Sequence, residues 1–127
     1  MSWITKIGIV ELTVGVLTGW AMVYVTRTPR ERRIAAGLRD ARRIRQGHIE
    51  LLMQGTLVTA IGVAVPSPPV AAAVLIVVFA WLAPLAFFPV AFRPEWGDLR
   101  VFRLLDNTTF AALSVGFVWL AVVVVMR

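Results

Sequence analysis

The chain has 127 residues, of which 59% are hydrophobic and only 16% charged. Its mean hydropathy is +0.82, which excludes an ordinary soluble domain of this size. The net charge of +6 does not point to nucleic acid. Arg27, Arg30, Arg32, Arg33, Arg39, Arg42, Arg43 and Arg45 lie in one segment between two apolar runs, as in a membrane protein marking its cytoplasmic side, and no recognition motif accompanies them. There is no cysteine, so disulfides, Cys-ligated metals and iron–sulfur clusters are excluded.

These numbers predict an all-α integral membrane protein, a four-helix bundle in one domain, 1–127. The first span is expected at 4–25, with Trp3, Trp20 and Tyr24 as interfacial aromatics. Only Lys6 stands near its start, no small-residue cleavage site follows, and the segment reads as retained. A cationic helix at the headgroup surface is expected at 29–45, opened by a capping box with Thr28 as N-cap, Pro29 at the first position and Glu31 reaching back. Ile34, Leu38, Ala41 and Ile44 recur at helical spacing along it.

The second span is expected at 47–65, ended by Pro66-Ser67-Pro68-Pro69. The third is expected at 70–92, with Pro84 and Pro89 inside it, and the fourth at 102–126. Both arginine-bearing connections fall on one side. The positive-inside rule makes that side cytoplasmic and turns both termini outward, in a plasma or inner membrane.

Ionisable residues inside spans are functional candidates. Here they are Glu11, His48, Glu50 and Asp106, with the amides Gln54 and Asn107. All but Glu11 gather in the cytoplasmic half. Asp106 has Arg100 and Arg103 nearby in sequence and is expected to pair with one of them. His48, Gly55, Thr59 and Gly62 fall within roughly 60° on one helix face. This small-residue stripe is either a close helix contact or a flat wall for a planar cofactor ligated by the imidazole. Glu50 and Gln54, four residues apart, share a different face.

Gly47-His48-Ile49-Glu50-Leu51-Leu52-Met53-Gln54-Gly55, continuing through Gly62 to Pro66, resembles the second helix of styrene oxide isomerases and hydroxylaminobenzene mutases. Leu17-Thr18-Gly19 also fits that family. The resemblance covers about 35 residues; over the rest of the chain only hydropathy agrees. It implies a homotrimer in the lipid bilayer with haem b between subunits. His48 would be the iron ligand, with Gly55, Thr59 and Gly62 beside the macrocycle. Gln54 would orient the substrate oxygen, assisted by Glu50, in a pocket lined by Trp81, Phe87 and Phe88. The implied activity is rearrangement of a small apolar epoxide to a carbonyl compound, with ferric haem as Lewis acid and no net redox change. The mutase alternative converts an aryl hydroxylamine to an aminophenol. Two further readings stay open, a non-enzymatic haem-binding subunit and a structural membrane subunit. The chain departs from the isomerases at two places. Gln54 stands where they have the shorter asparagine, and Phe87 stands where alignment on Trp81 puts their tyrosine.

Overall fold

The computed structural model describes residues 1–127 and contains helices and turns but no strand. The helices are α1 (Trp3–Leu17), α2 (Gly19–Arg27), α3 (Arg30–Ala35), α4 (Ala41–Ala64), α5 (Val70–Leu85), α6 (Phe87–Phe92) and α7 (Arg100–Val125); a 3₁₀ turn spans Pro94–Asp98. Three helical segments are long and apolar enough to cross a membrane, namely Trp3–Arg27, Val70–Phe92 and Arg100–Val125. The 25 residues of the first extend roughly 37 Å at about 1.5 Å per residue, more than a hydrocarbon core of about 30 Å.

The core is thin. Only 23 of 127 residues are buried, while Leu17, Trp20, Val63, Val101, Phe110 and Val118 are exposed. So much apolar surface facing outward is compatible with a lipid bilayer. Val58, Ile76, Ala80 and Leu120 form the interior cluster, with Trp81 and Phe117 packed against it.

Helix α4 is the centre of the molecule. It packs on α1, α2, α5 and α6, whereas α7 leans on α5 and scarcely touches α4. This accounts for α4 falling outside the set of span-length apolar helices. Its glycines serve close approach, and Gln54 is buried against neighbouring helices. The α1–α4 seam interleaves glycines from both helices. Gly8 lies against Thr59, Gly55 against Leu12, Gly62 against Thr5, and Gly15 against Leu51 and Leu52.

The helices break where the chemistry requires it. Neither Pro84 nor Pro89 has an N–H for the carbonyls of Ala80 and Leu85, and α5 gives way to α6 at Ala86. The basic segment does not form one helix. Arg33 and Ile34 carbonyls accept from Leu38 and Gly37 N–H groups, and Gly37 adopts φ +95°, so α3 ends in a glycine-dependent Schellman turn. Leu38 is then buried with Ile44 and Ala91, and α4 restarts under an Asp40 cap. The expected capping box is absent. Thr28 is extended and closes α2, and Pro29 precedes α3 without a side-chain cap. Glu31 is thereby the second helical residue, one place too early to reach back.

Both arginine-bearing connections lie at the same end. Arg39 and Asp40 N–H groups donate to the Ala91 carbonyl, and Arg39 stands 3.9 Å from Glu95. At the other end Ser2 donates to the Gly62 carbonyl, and Arg127 donates to the carbonyls of Pro66 and Ser67.

Candidate functional site

The histidine is set by the interruption between α1 and α2. The Gly15 carbonyl and the Thr18 hydroxyl each lie 2.9 Å from His48 Nδ1. A carbonyl oxygen only accepts, so Nδ1 carries the hydrogen. The Thr18 hydroxyl donates to the same carbonyl at 2.6 Å and shares the Nδ1 hydrogen as acceptor. In the neutral ring Nε2 then keeps its lone pair, and no protein atom hydrogen-bonds to it. Metal-ligating histidines share this arrangement, in which one ring nitrogen donates to a backbone carbonyl and the other is left open. Gly19 lies at the Cε1 edge of the ring, and the imidazole is half-buried.

No group of three or more His, Cys, Asp or Glu side chains converges anywhere in the chain. A metal held here would therefore take one protein nitrogen and the rest of its ligands from elsewhere. A haem iron, with four nitrogens from its macrocycle and one axial imidazole, meets that requirement.

The small-residue stripe does not serve as the wall. Gly55, Thr59 and Gly62 are covered by α1 of the same chain, close enough that a Cβ on Gly55 or Gly62 would collide with α1 backbone. A macrocycle over this face would have to displace α1. Of the two readings of the stripe, the helix contact is the one the geometry meets, and Gly55, Thr59 and Gly62 are removed from the cofactor-binding set.

The opposite side of α4 carries a cavity of about 470 Å³ between α4, α5, α6 and α7. It exists because α7 leans away from α4. Glu50 and Gln54 enter from α4 and Asp106 from α7, with Phe87, Phe110 and Phe117 as apolar wall. Gln54 is 8% exposed. None of the three polar side chains is in an ion pair. Neither of the two arginines expected beside Asp106 forms an ion pair with it, and Arg103 donates to the Asp98 carbonyl. Of the three aromatics assigned to the pocket, Phe87 lines it. Phe88 is pressed against Gly47, and Trp81 packs on the interior cluster, so neither reaches the cavity.

Sequence reasoning missed Gly15 and Thr18 as the partners of His48, and Thr109, Phe110 and Leu113 as cavity wall. A glycine and a threonine three residues apart at the depth of the histidine were the available signal for the first pair.

Glu11 stands apart from both sites. It is 0% exposed and neither carboxyl oxygen has a hydrogen-bond partner. Leaving such a group unsatisfied costs about 1–3 kcal/mol. Glu11→Met is therefore expected to raise the melting midpoint, followed by the fluorescence of the five tryptophans. A lowered midpoint would mean that the carboxyl is satisfied by something outside the chain.

Compared with protein-family models, curated proteins and solved structures, the chain matches none.

Proposed function

We infer that the protein is a membrane-embedded isomerase built on a four-helix bundle, with haem b ligated by His48. The observation that carries this reading is the free Nε2, fixed by the Nδ1–H donation to Gly15. The cavity on the far side of α4 supports it, with an amide and two carboxylates over apolar walls. The resemblance of the α4 segment to styrene oxide isomerases supplies the reaction class, conversion of a small apolar epoxide to a carbonyl compound.

His48 and the Gln54 cavity lie on opposite sides of α4, so one chain does not complete the site. A homotrimer, in which the partly exposed imidazole edge of one copy, not the α1-covered stripe below it, meets the cavity side of another, completes it. The arginine-rich end faces the cytoplasm and the termini face outward, in accord with the positive-inside rule. Bound haem supplies an electron-poor iron that polarises a substrate oxygen. The chain's own contribution is orientation and exclusion of water. The Gln54 amide N–H donates to the substrate oxygen, and Glu50 and Asp106 accept from groups on the substrate or stabilise developing positive charge. The phenylalanines keep water from a reactive cation. Phe87 provides no phenol, so Gln54 is the principal donor.

Purified, haem-loaded protein given styrene oxide is expected to form phenylacetaldehyde. Gln54→Ala is expected to lower kcat roughly 10²-fold, the cost of losing one donor to a developing oxyanion, with haem content unchanged. Failure of the loaded protein to convert an aryl epoxide, with aminophenol forming from phenylhydroxylamine instead, would replace the isomerase reading by the mutase one. Conversion of neither would remove both.

A further inference from the structure

At the arginine-rich end lies an open cleft of about 660 Å³, lined by α2, α3 and the start of α4. Arg30, Arg33, Arg39, Arg42 and Arg45 line it, against a single carboxylate, Asp40. The fold builds this gathering actively. The Gly37 turn reverses the chain so that Arg30 and Arg33 of α3 stand opposite Arg42 and Arg45 of α4. The bonds from Arg39 and Asp40 N–H to the Ala91 carbonyl hold the reversal in place.

Five arginines lining one cleft give it a positive potential that favours an anion. The anions within the chain do not suffice. Asp40 is shared between Arg42, at 3.4 Å, and Arg43, at 3.8 Å. Glu95 reaches only Arg39. Arg30 and Arg45 have no carboxylate partner, and Arg33 has none either: one guanidinium N–H donates to the Val25 carbonyl and its buried Nε has no partner. The cavity thus offers donors with nothing to receive them.

Its other lining is apolar. Met22 and Val25, from the last turns of the span-length helix Trp3–Arg27, form one wall, and Ile34 and Leu38 another. A cationic mouth beside an apolar wall, at the end of a membrane-length helix, matches an anion carried on a hydrocarbon body. We propose that this cavity binds the phosphodiester headgroup of an anionic phospholipid, with the exposed Arg30 and Arg45 closing on the phosphate and the Arg33 charge behind them. Guanidinium groups suit phosphate oxygens by their paired donors. An inorganic anion would use the arginines but leave the apolar walls without a function.

The test uses the full chain in a neutral detergent, with melting midpoint and native mass spectrometry as readouts. The probes are dioleoyl-phosphatidylglycerol, dioleoyl-phosphatidylcholine and inorganic phosphate. Phosphatidylglycerol is expected to stay bound and to raise the midpoint, with an affinity that falls as salt rises. Phosphatidylcholine is expected to do neither. Arg30 and Arg45 are exposed, so Arg30→Gln with Arg45→Gln spares the packing. At roughly fivefold per arginine, that pair should weaken phosphatidylglycerol binding about 25-fold, while Arg100→Gln, outside the cavity, leaves it unchanged. Equal stabilisation by phosphatidylcholine, or by phosphate at matched concentration, would overturn the proposal. So would an Arg30→Gln/Arg45→Gln variant that keeps its lipid affinity but loses haem, because the cavity would then serve the cofactor's carboxylates.

Discussion

Gly8→Leu is expected to lower the melting midpoint by roughly 4–12 °C, the equivalent of about 1–3 kcal/mol of overpacking. A Cβ at Gly8 would meet the Thr59 hydroxyl and, at nearly the same distance, the Thr59 backbone N and Cα. The helices must then separate or shift along one another, because neither backbone can yield locally. Separation also loosens the contacts of Gly55 with Leu12 and of Gly62 with Thr5 along the same seam, so the effect is not confined to one turn. Gly97→Ala is the matched control. A Cβ there would stand 3.4 Å from Val90 Cγ1, an ordinary contact, and the midpoint should scarcely change. Equal effects of the two substitutions would show that the α1–α4 seam is not the tight contact described.

His48→Ala is expected to abolish haem retention through purification, because no other histidine and no cysteine exists in the chain to take the iron. The more discriminating variant is Thr18→Val. It keeps the volume of the side chain but removes the hydroxyl 2.9 Å from Nδ1. The Gly15 carbonyl still accepts from the ring, so ligation should survive, at an affinity roughly 10- to 100-fold lower, as for loss of a partner that orients a metal-binding histidine. The measurement is haem titration followed in the Soret region. Thr18→Val indistinguishable from the parent protein would remove Thr18 from any role in orienting the ring.

Much of the helical framework was legible because apolar runs of span length, punctuated by Pro66-Ser67-Pro68-Pro69 and by charged connections, leave little choice of secondary structure. The polar cluster of Glu50, Gln54 and Asp106 was legible for a related reason, since few such residues occur in apolar helices and topology alone places them at one depth. What failed was partner assignment. Gly55, Thr59 and Gly62 form the same stripe whether another helix or a macrocycle covers it, and the deciding fact is the complementary glycines of α1, far away in sequence. Asp106 has Arg100 and Arg103 close in the chain, but Arg103 turns to the Asp98 carbonyl. The basic segment carries a helical pattern through Gly37, whose positive φ is a tertiary choice favoured by the burial of Leu38. Trp81 and Phe88 have the composition of a pocket, yet the broken helix at Ala86 turns Phe88 onto Gly47.

The central claim is that the free nitrogen of His48 ligates haem iron. Its most direct test is the absorption spectrum of the detergent-purified, haem-supplemented protein, oxidised and after dithionite, beside His48→Ala. The account predicts a Soret band that shifts on reduction and is lost in the variant. No Soret band in the parent protein, or the same band in both, would contradict it.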